Sequence, residues 1–175
     1  MLDKVIFLDR DGVVNKETNY LYETTKFEFI DGVFEACSSF KALGYKIIII
    51  TNQSGIARGY YSNNDFKKLT EWMLEKFKDN NIDILDVLYC PHSPNSNCLC
   101  RKPKPGLIFE AYKKFQINIK ESWLIGDQET DIETAKAAGI NNTILVKSGH
   151  PVDELNSNAS FILKSIKECS LIINN

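Results

Sequence analysis

The sequence contains no apolar stretch that approaches the ~20 residues a membrane-spanning helix needs. It also lacks an excess of either charge, since 21 lysines and arginines face 23 aspartates and glutamates, for a formal net charge of −2. Long runs of one charge sign, internal repeats and low-complexity tracts are missing as well. Nothing in this composition indicates a nucleic acid or a membrane as partner. We therefore expect a soluble, cytoplasmic monomer.

The cysteines do not resemble a disulfide framework. There are five, an odd number, and three of them lie within eleven positions around a histidine, which is the spacing of metal ligands. This pattern suits a reducing compartment. The length of 175 residues is enough to bury a hydrophobic core without cross-links, and it predicts one domain over residues 1–175.

Short apolar runs that do not alternate with polar residues recur along the chain. Such runs are typical of parallel strands that are covered on both faces. We predict five strands: Lys4–Leu8, Lys46–Ile50, Ile84–Tyr89, Ser122–Ile125 and Thr143–Val146. Helical spacing of apolar residues predicts five helices: Gly32–Leu43, Asn64–Lys78, Gly106–Phe115, Glu129–Ala138 and Lys164–Ile173. The alternation predicts an α/β fold, a three-layer, doubly wound, mainly parallel sheet that binds ligands beyond the carboxyl ends of its strands.

Two aspartates directly follow the first predicted strand, in the string Asp9-Arg10-Asp11-Gly12. Carboxylates at positions i and i+2 after a strand can both point into the crevice above the sheet. There they could hold a divalent cation while one attacks phosphorus and the other handles the leaving-group proton. Aspartate and glycine are also common turn residues, so a capped turn is the alternative explanation of this string alone.

The second predicted strand ends in Thr51-Asn52-Gln53-Ser54. A hydroxyl, side-chain amides and free backbone N–H groups at a strand-to-helix turn are suitable donors for phosphate oxygens. Capping of the next helix by Asn52 or Ser54 explains the same residues equally well. Their location at the same sheet edge as the aspartates favours phosphate binding.

A basic segment, Arg101-Lys102-Pro103-Lys104-Pro105, precedes the third predicted helix. An exposed basic loop is the simple interpretation. Two prolines, however, stiffen the segment, and a cation held rigidly toward the crevice would offset the charge of a phosphoryl group in transfer.

The fourth predicted strand is followed by Asp127 and, one helical turn later, by Asp131. Asp127 could complete an oxygen-rich, octahedral Mg²⁺ site. Asp131 is expected to orient Lys102 or a metal-bound water, although an acidic residue at this position could equally cap the helix.

Three thiols and one imidazole cluster in residues 90–100, at Cys90, His92, Cys98 and Cys100. Free buried cysteines are the alternative, but the polar stretch between the two ligand pairs has no means of packing itself. The inventory suits a closed, tetrahedral structural zinc site, and we predict a zinc-binding loop here. It ends just before Lys102, so zinc would also order the basic segment.

The other cysteines and the second histidine have simpler interpretations. Cys37 and Cys169 lie in predicted helices and are expected to be small core residues. His150, between a glycine and a proline, is more often a loop residue than a catalyst.

Four segments, which begin at Asp9, Thr51, Arg101 and Asp127, together resemble the signature motifs of the haloacid dehalogenase (HAD) superfamily of phosphohydrolases. Their order and spacing match over nearly the whole chain. The resemblance implies a Rossmann-like core, in-line attack by Asp9 to give an aspartyl-phosphate, and proton transfer by Asp11. It implies that Thr51 and Lys102 hold the phosphoryl oxygens. It further implies Mg²⁺ bound by Asp9, Asp127 and the backbone carbonyl of Asp11.

The zinc loop that ends in Cys-x-Cys-Arg-Lys-Pro narrows the resemblance to the heptose bisphosphate 7-phosphatases and the closely similar histidinol-phosphate phosphatases, which lack a large cap domain. Relatives often carry a basic residue where this chain has Gln128, which leaves the anomer preference open. The resemblance implies a small phosphorylated sugar as substrate and contacts from Arg10, Glu17, Thr18, Asn19, Tyr20, Thr51, Asn52, Gln53, Ser54, Arg101, Lys102 and Gln128.

The leading functional expectation is therefore removal of the 7-phosphate from D-glycero-D-manno-heptose 1,7-bisphosphate in nucleotide-heptose biosynthesis, with catalytic Mg²⁺ and structural Zn²⁺. The alternatives are a histidinol-phosphate phosphatase, a non-catalytic binding protein of the same fold, and a phosphotransferase. A phosphotransferase usually needs a cap that excludes water from the phosphoenzyme, which makes hydrolysis the better interpretation.

Overall fold

The computed structural model describes residues 2–173. The strands are β1 Val5–Leu8, β2 Lys46–Asn52, β3 Ile84–Cys90, β4 Trp123–Gly126, β5 Asn142–Val146 and β6 Phe161–Leu163. The helices are α1 Val33–Ala42, α2 Asn63–Asp79, α3 Gly106–Lys114, α4 Glu129–Ala137 and α5 Cys169–Ile173. Three 3₁₀ turns accompany them, at Thr24–Lys26, Ile119–Glu121 and Ile166–Glu168.

The strands form one parallel sheet in the order β3-β2-β1-β4-β5-β6. The chain moves outward from β1 through β2 to β3 and then returns to the other side of β1 at β4. Strand order therefore reverses between β1 and β4. Open α/β sheets bind ligands in the crevice beyond the carboxyl ends of the strands at such a reversal.

Successive residues of a strand point to opposite faces, and the core divides accordingly. On β1, Ile6 and Leu8 pack in a cluster with apolar residues of α1, α2 and α5. Val5 and Phe7 pack in a second cluster with residues of α3 and α4. All four side chains are fully buried. Both faces of the sheet are thus covered, which explains why the strands appear as continuous apolar runs.

The predicted three-layer α/β architecture is confirmed, and all five predicted strands exist with ends shifted by one or two residues. The count of five is short by one. The sixth strand, β6, has three residues and lies at the sheet edge, where its side chains are partly exposed. The closing helix predicted from Lys164 begins as a 3₁₀ turn and continues as the five-residue α5.

Between β1 and β2 the chain holds a 3₁₀ turn, helix α1 and loop segments. The crevice above β1 is consequently left open. Among residues 2–173, no helix is long and apolar enough to cross a membrane. Met1, Asn174 and Asn175 lie outside the described residues, so the single-domain prediction over 1–175 extends beyond what the structure describes.

Candidate active site

A buried lysine lies between two carboxylates at the strand ends. The Nζ atom of Lys102 is 2.8 Å from Oδ1 of Asp9 and 2.6 Å from Oδ1 of Asp131. It also donates to the carbonyl of Ile50 on β2, at 3.3 Å. Asp9 follows β1, and Asp131 lies in the first turn of α4. Segments that are distant in sequence therefore converge on one ion-paired centre, and the predicted pairing of Asp131 with Lys102 is present.

Burial and charge act together on these groups. Burial opposes the charge of Lys102, but the carboxylates of Asp131 and Asp9 outweigh it and raise the pKa of the lysine. Burial also raises the pKa of Asp9; Lys102 opposes this shift, while the nearby carboxylates of Asp131 and Asp127 reinforce it. A site with this much negative charge favours binding of a cation.

Asp11 is held apart from this centre by its neighbours. Nη2 of Arg10 donates to its two oxygens at 2.8 and 3.0 Å, Asn15 Nδ2 donates at 3.0 Å, and Gln53 Nε2 at 3.1 Å. Burial opposes ionisation of Asp11, but the Arg10 charge and these hydrogen bonds hold its pKa below the usual range. The hydroxyl of Tyr61 donates to Gln53 and so orients that amide.

Asp127, which follows β4, is fully buried beneath two loops. Its Oδ2 accepts from the backbone N–H of His150 at 3.0 Å and lies 2.6 Å from Nδ1 of the same residue. Its Oδ1 has no hydrogen-bond partner anywhere in residues 2–173. Oxygens of Asp9, Asp127 and Asp131 lie within 4.8 Å of one another and could hold a cation. The carboxylate of Asp11 is outside this group.

A cleft of about 250 Å³ lies at this edge of the sheet, and Asp127 does not line it but borders a separate pocket with Glu129 and Pro151. Asn52 and Gln53 contribute to the wall of the cleft from the end of β2. Thr18 does not line it but faces an adjoining pocket with Tyr22 and Lys26. Among the other predicted site residues, the cleft is lined by Asp9, Arg10, Asp11, Glu17, Asn19, Tyr20, Thr51, Ser54, Arg101, Lys102 and Gln128.

The predicted zinc ligands gather at the end of β3. The Sγ atom of Cys90 lies 3.0 Å from that of Cys100, 3.7 Å from that of Cys98 and 3.5 Å from Nδ1 of His92. His92 Nδ1 is 3.2 Å from Cys100 Sγ. A tetrahedral site with Zn–S bonds of about 2.3 Å has ligand–ligand edges of about 3.8 Å, close to this spacing. The four groups could therefore hold a tetrahedral ion.

The cysteine loop is joined to the lysine of the cleft. The side chain of Asn52 accepts from Lys102 N at 3.1 Å and donates to Lys102 O at 3.3 Å, which ties this segment to β2. Lys104 Nζ donates to the carbonyl of Cys98 at 2.6 Å. A Cβ atom at Gly106 would overlap the carbonyl of Leu99, so glycine permits α3 to begin against the loop.

Several residues of the cleft are absent from the sequence prediction. Leu21, Tyr61, Thr130 and His150 all line it. Tyr61 lies ten residues beyond Thr51 and carries no motif of its own. For His150, the flanking Gly149 is a signal of a close backbone approach, but the sequence does not say to what. By contrast, Cys37 and Cys169 are buried in the core, as predicted.

Comparison with known proteins agrees with this geometry. The HAD-hydrolase-like family model matches residues 99–169. A D-glycero-alpha-D-manno-heptose-1,7-bisphosphate 7-phosphatase of Photorhabdus laumondii is 48% identical over an alignment of 163 positions that covers 89% of each chain. A D-glycero-beta-D-manno-heptose-1,7-bisphosphate 7-phosphatase of Pasteurella multocida is 42% identical over an alignment of 179 positions, gaps included, that covers 98% of this chain and 97% of the relative.

Among solved structures, a D,D-heptose 1,7-bisphosphate phosphatase from B. bronchiseptica, complexed with magnesium and phosphate, superposes with a TM-score of 0.88. The alignment covers 98% of both chains at 23% identity, so it supports the fold alone. The sequence identities to the two relatives are high enough, over most of each chain, to assign the family. The chain belongs to the D-glycero-D-manno-heptose-1,7-bisphosphate 7-phosphatase family of HAD-like phosphatases.

Proposed function

We propose that this protein hydrolyses the 7-phosphate of D-glycero-D-manno-heptose 1,7-bisphosphate through an aspartyl-phosphate on Asp9. The observation that carries the proposal is the convergence of Asp9, Lys102 and Asp131 at 2.6–2.8 Å in an open cleft, beside an unpartnered oxygen of Asp127. The substrates in the names of both relatives support this choice. The product would serve nucleotide-heptose biosynthesis.

The reaction has two steps. Oδ1 of Asp9 accepts from Arg10 N at 2.7 Å and from Lys102, which leaves Oδ2 to attack phosphorus. A bond from Oδ2 to phosphorus forms as the bond to the sugar oxygen breaks, and Asp11 gives that oxygen a proton. Because the pKa of Asp11 is low in the free site, we propose that the negative charge of the bound phosphate raises it, so that Asp11 takes up this proton when substrate binds. Water then attacks the phosphoenzyme, Asp11 takes its proton, and inorganic phosphate leaves with Asp9 restored. Thr51 and Lys102 would hold the phosphoryl oxygens.

Two metal ions fit the proposal. The unpartnered, buried Oδ1 of Asp127 suits a hard cation, and Mg²⁺ would be held by Asp9, Asp127 and the backbone carbonyl of Asp11. When bound, it supplies positive charge that offsets the phosphoryl oxygens. Zn²⁺ would occupy the cysteine cluster of residues 90–100 and order the segment that delivers Lys102.

Arg101 is the proposed contact for the second, non-reacting phosphate. It lines the cleft beside Lys102, and its Nη1 is a buried donor without a partner among residues 2–173. A phosphate oxygen would satisfy that donor with a charge-assisted hydrogen bond. The other proposed sugar contacts are those predicted residues that line the cleft. Thr18 lies in the adjoining pocket, and its contact with the sugar stays a prediction from the sequence.

Substitution of the nucleophile tests the chemistry. Asp9→Asn should abolish release of inorganic phosphate in the presence of Mg²⁺, since an amide does not form the phosphoenzyme. Asp153→Asn is a matched control, because Asp153 is exposed and bonds within its own loop, to Asn156. Turnover by Asp9→Asn at the wild-type rate would refute the mechanism, and absence of turnover in the wild type would favour a binding protein.

A substrate panel tests the specificity. The α and β anomers of the heptose bisphosphate should each be compared with histidinol phosphate by kcat/KM, since the two relatives carry different anomers in their names. We expect a heptose bisphosphate to be preferred. A higher kcat/KM for histidinol phosphate would contradict the proposal. We also propose that the protein is a monomer and that it acts in the cytoplasm. Gel filtration of the same sample tests the oligomeric state.

A further inference from the structure

The loop after β5 closes over the carboxylate of Asp127. His150 provides two contacts to Oδ2 of that residue, from its backbone N–H at 3.0 Å and from ring Nδ1 at 2.6 Å. A carboxylate oxygen only accepts hydrogen bonds, so we assign a proton to Nδ1. Both donors therefore come from one residue and converge on a single oxygen.

The backbone on either side of this carboxylate is too close for any side chain. A Cβ atom at Gly12 or at Gly149 would overlap Oδ2 of Asp127. Ser148 Oγ donates to the carbonyl of Gly12 at 2.6 Å and joins the two loops. The carboxylate is thus enclosed between the loop that follows β1 and the loop that follows β5, and its rotation is restricted.

The two oxygens of Asp127 consequently differ. Oδ2 has its hydrogen bonds supplied by His150, whereas Oδ1 is buried and has no partner in the described part of the chain. A buried carboxylate oxygen without a donor is costly unless a cation or water satisfies it. One carboxylate oxygen from each of Asp9, Asp127 and Asp131 lies within 4.8 Å of the others, a spacing that one cation could bridge. The arrangement leaves Oδ1 oriented for a cation before any cation arrives.

We propose that His150 is a positioning residue for the divalent cation, which holds Oδ2 of Asp127 so that Oδ1 faces the metal. This inference rests on the proposed function, since it assumes that the cation lies between Asp9 and Asp127. The inference gives a role to His150, which the sequence alone predicts to be an ordinary loop residue. Residues that orient metal ligands typically change metal affinity by about 10–100-fold when they are removed.

Three substitutions at this position separate the ring contact from general packing. His150→Ala removes the ring donor and keeps the backbone N–H. His150→Asn places an amide donor near the position of Nδ1, whereas His150→Gln places it near Nε2. Glu154→Gln is the matched control, because Glu154 lies in the same loop and pairs with Lys147 on the surface, at 2.9 Å.

The readout is Mg²⁺ affinity, measured by titration calorimetry with MgCl₂ alone in phosphate-free buffer. We expect His150→Ala and His150→Gln to bind Mg²⁺ at least about 10-fold more weakly, as loss of a ligand-orienting contact predicts. His150→Asn should recover most of the affinity, and Glu154→Gln should equal the wild type. Circular dichroism and zinc content of each variant verify that the fold is retained.

Two results would overturn the inference: Mg²⁺ affinity of His150→Ala equal to that of the wild type, or His150→Asn as weak as His150→Ala. If His150→Ala fails to fold, the Asn and Gln variants still test the inference, since Mg²⁺ affinity should be higher with the donor near Nδ1 (Asn) than with the donor near Nε2 (Gln). Failure of the proposed function appears separately, as phosphatase activity that survives in Asp9→Asn. An unaltered Mg²⁺ affinity in His150→Ala together with an inactive Asp9→Asn would reject the positioning role alone.

Discussion

Replacing Lys102 with methionine would leave two buried carboxylates without their shared cation. The lysine side chain is 3% exposed, and those of Asp9 and Asp131 are 9% and 2% exposed. Methionine matches the length and volume of the aliphatic stem but carries no charge. Removing one partner of a buried ion pair typically costs about 3–5 kcal/mol, because the remaining charge is uncompensated. We expect a loss of this size in the free energy of unfolding at pH 7.5.

The effect should depend on pH in a defined direction. The folded-state pKa of Lys102 is raised above its usual 10.5, so its stabilisation is fully present below that pH and is lost as the pH rises through the folded-state pKa. The pKa of Asp9 is also raised, and the variant removes the charge that opposed this shift. Protonation of Asp9 at lower pH would therefore remove its uncompensated charge in the variant. The difference in unfolding free energy between the variant and the wild type should shrink toward pH 5.

Urea unfolding followed by tryptophan fluorescence in magnesium-free buffer measures the difference. Lys147→Met is the matched control: its ion pair with Glu154 has side chains 42% and 56% exposed, so we expect a loss of at most about 1 kcal/mol. With Mg²⁺ present, kcat of Lys102→Met should fall about 10²–10³-fold, as for loss of one group that stabilises transition-state charge. A stability loss no larger than that of the control would refute the buried-pair argument.

Two further predictions concern the metal sites. Cys100→Ser should lower bound zinc, measured by atomic absorption, and also lower phosphatase activity, because the proposed zinc site would order the adjoining basic segment. Cys37→Ala should keep its zinc, and equal zinc in both variants would contradict the proposed site. Gly149→Ala should destabilise by about 1–3 kcal/mol in urea unfolding, because the added Cβ overlaps Asp127 in a packed site. Mg²⁺ binding should weaken in the same variant. Unchanged stability would contradict the prediction, because it would show that the loop after β5 can move to accommodate the added Cβ.

The alternation of strands and helices was predictable because burial on both faces of a parallel sheet leaves a strong apolar signal. The run of isoleucines in β2 is an example, since residues 47–50 are all buried. β6 escaped prediction for the opposite reason. Phe161–Leu163 is short and partly exposed at the sheet edge, so its composition carries little evidence of burial.

The positions of Asp9 and Asp127 could also be anticipated. Each directly follows a strand of a parallel sheet, and the carboxyl ends of such strands share one edge. Thr18 shows the limit of this reasoning. Its neighbours Glu17 and Asn19 line the cleft, but Asn19 and Tyr20 have positive φ angles of 43° and 57°, a local turn that proximity in sequence does not predict.

The amino-acid sequence by itself determined the class of fold, the aspartate pair after β1 and the cluster of three cysteines and one histidine, because each depends on local spacing or on burial that leaves a periodic trace. Only the tertiary structure decided that Asp9 shares Lys102 with Asp131, that Gln53 reaches Asp11, and that His150 reaches Asp127. Those contacts join segments more than 20 residues apart, and their geometry depends on how loops close over the sheet edge. No local pattern of residues encodes that closure.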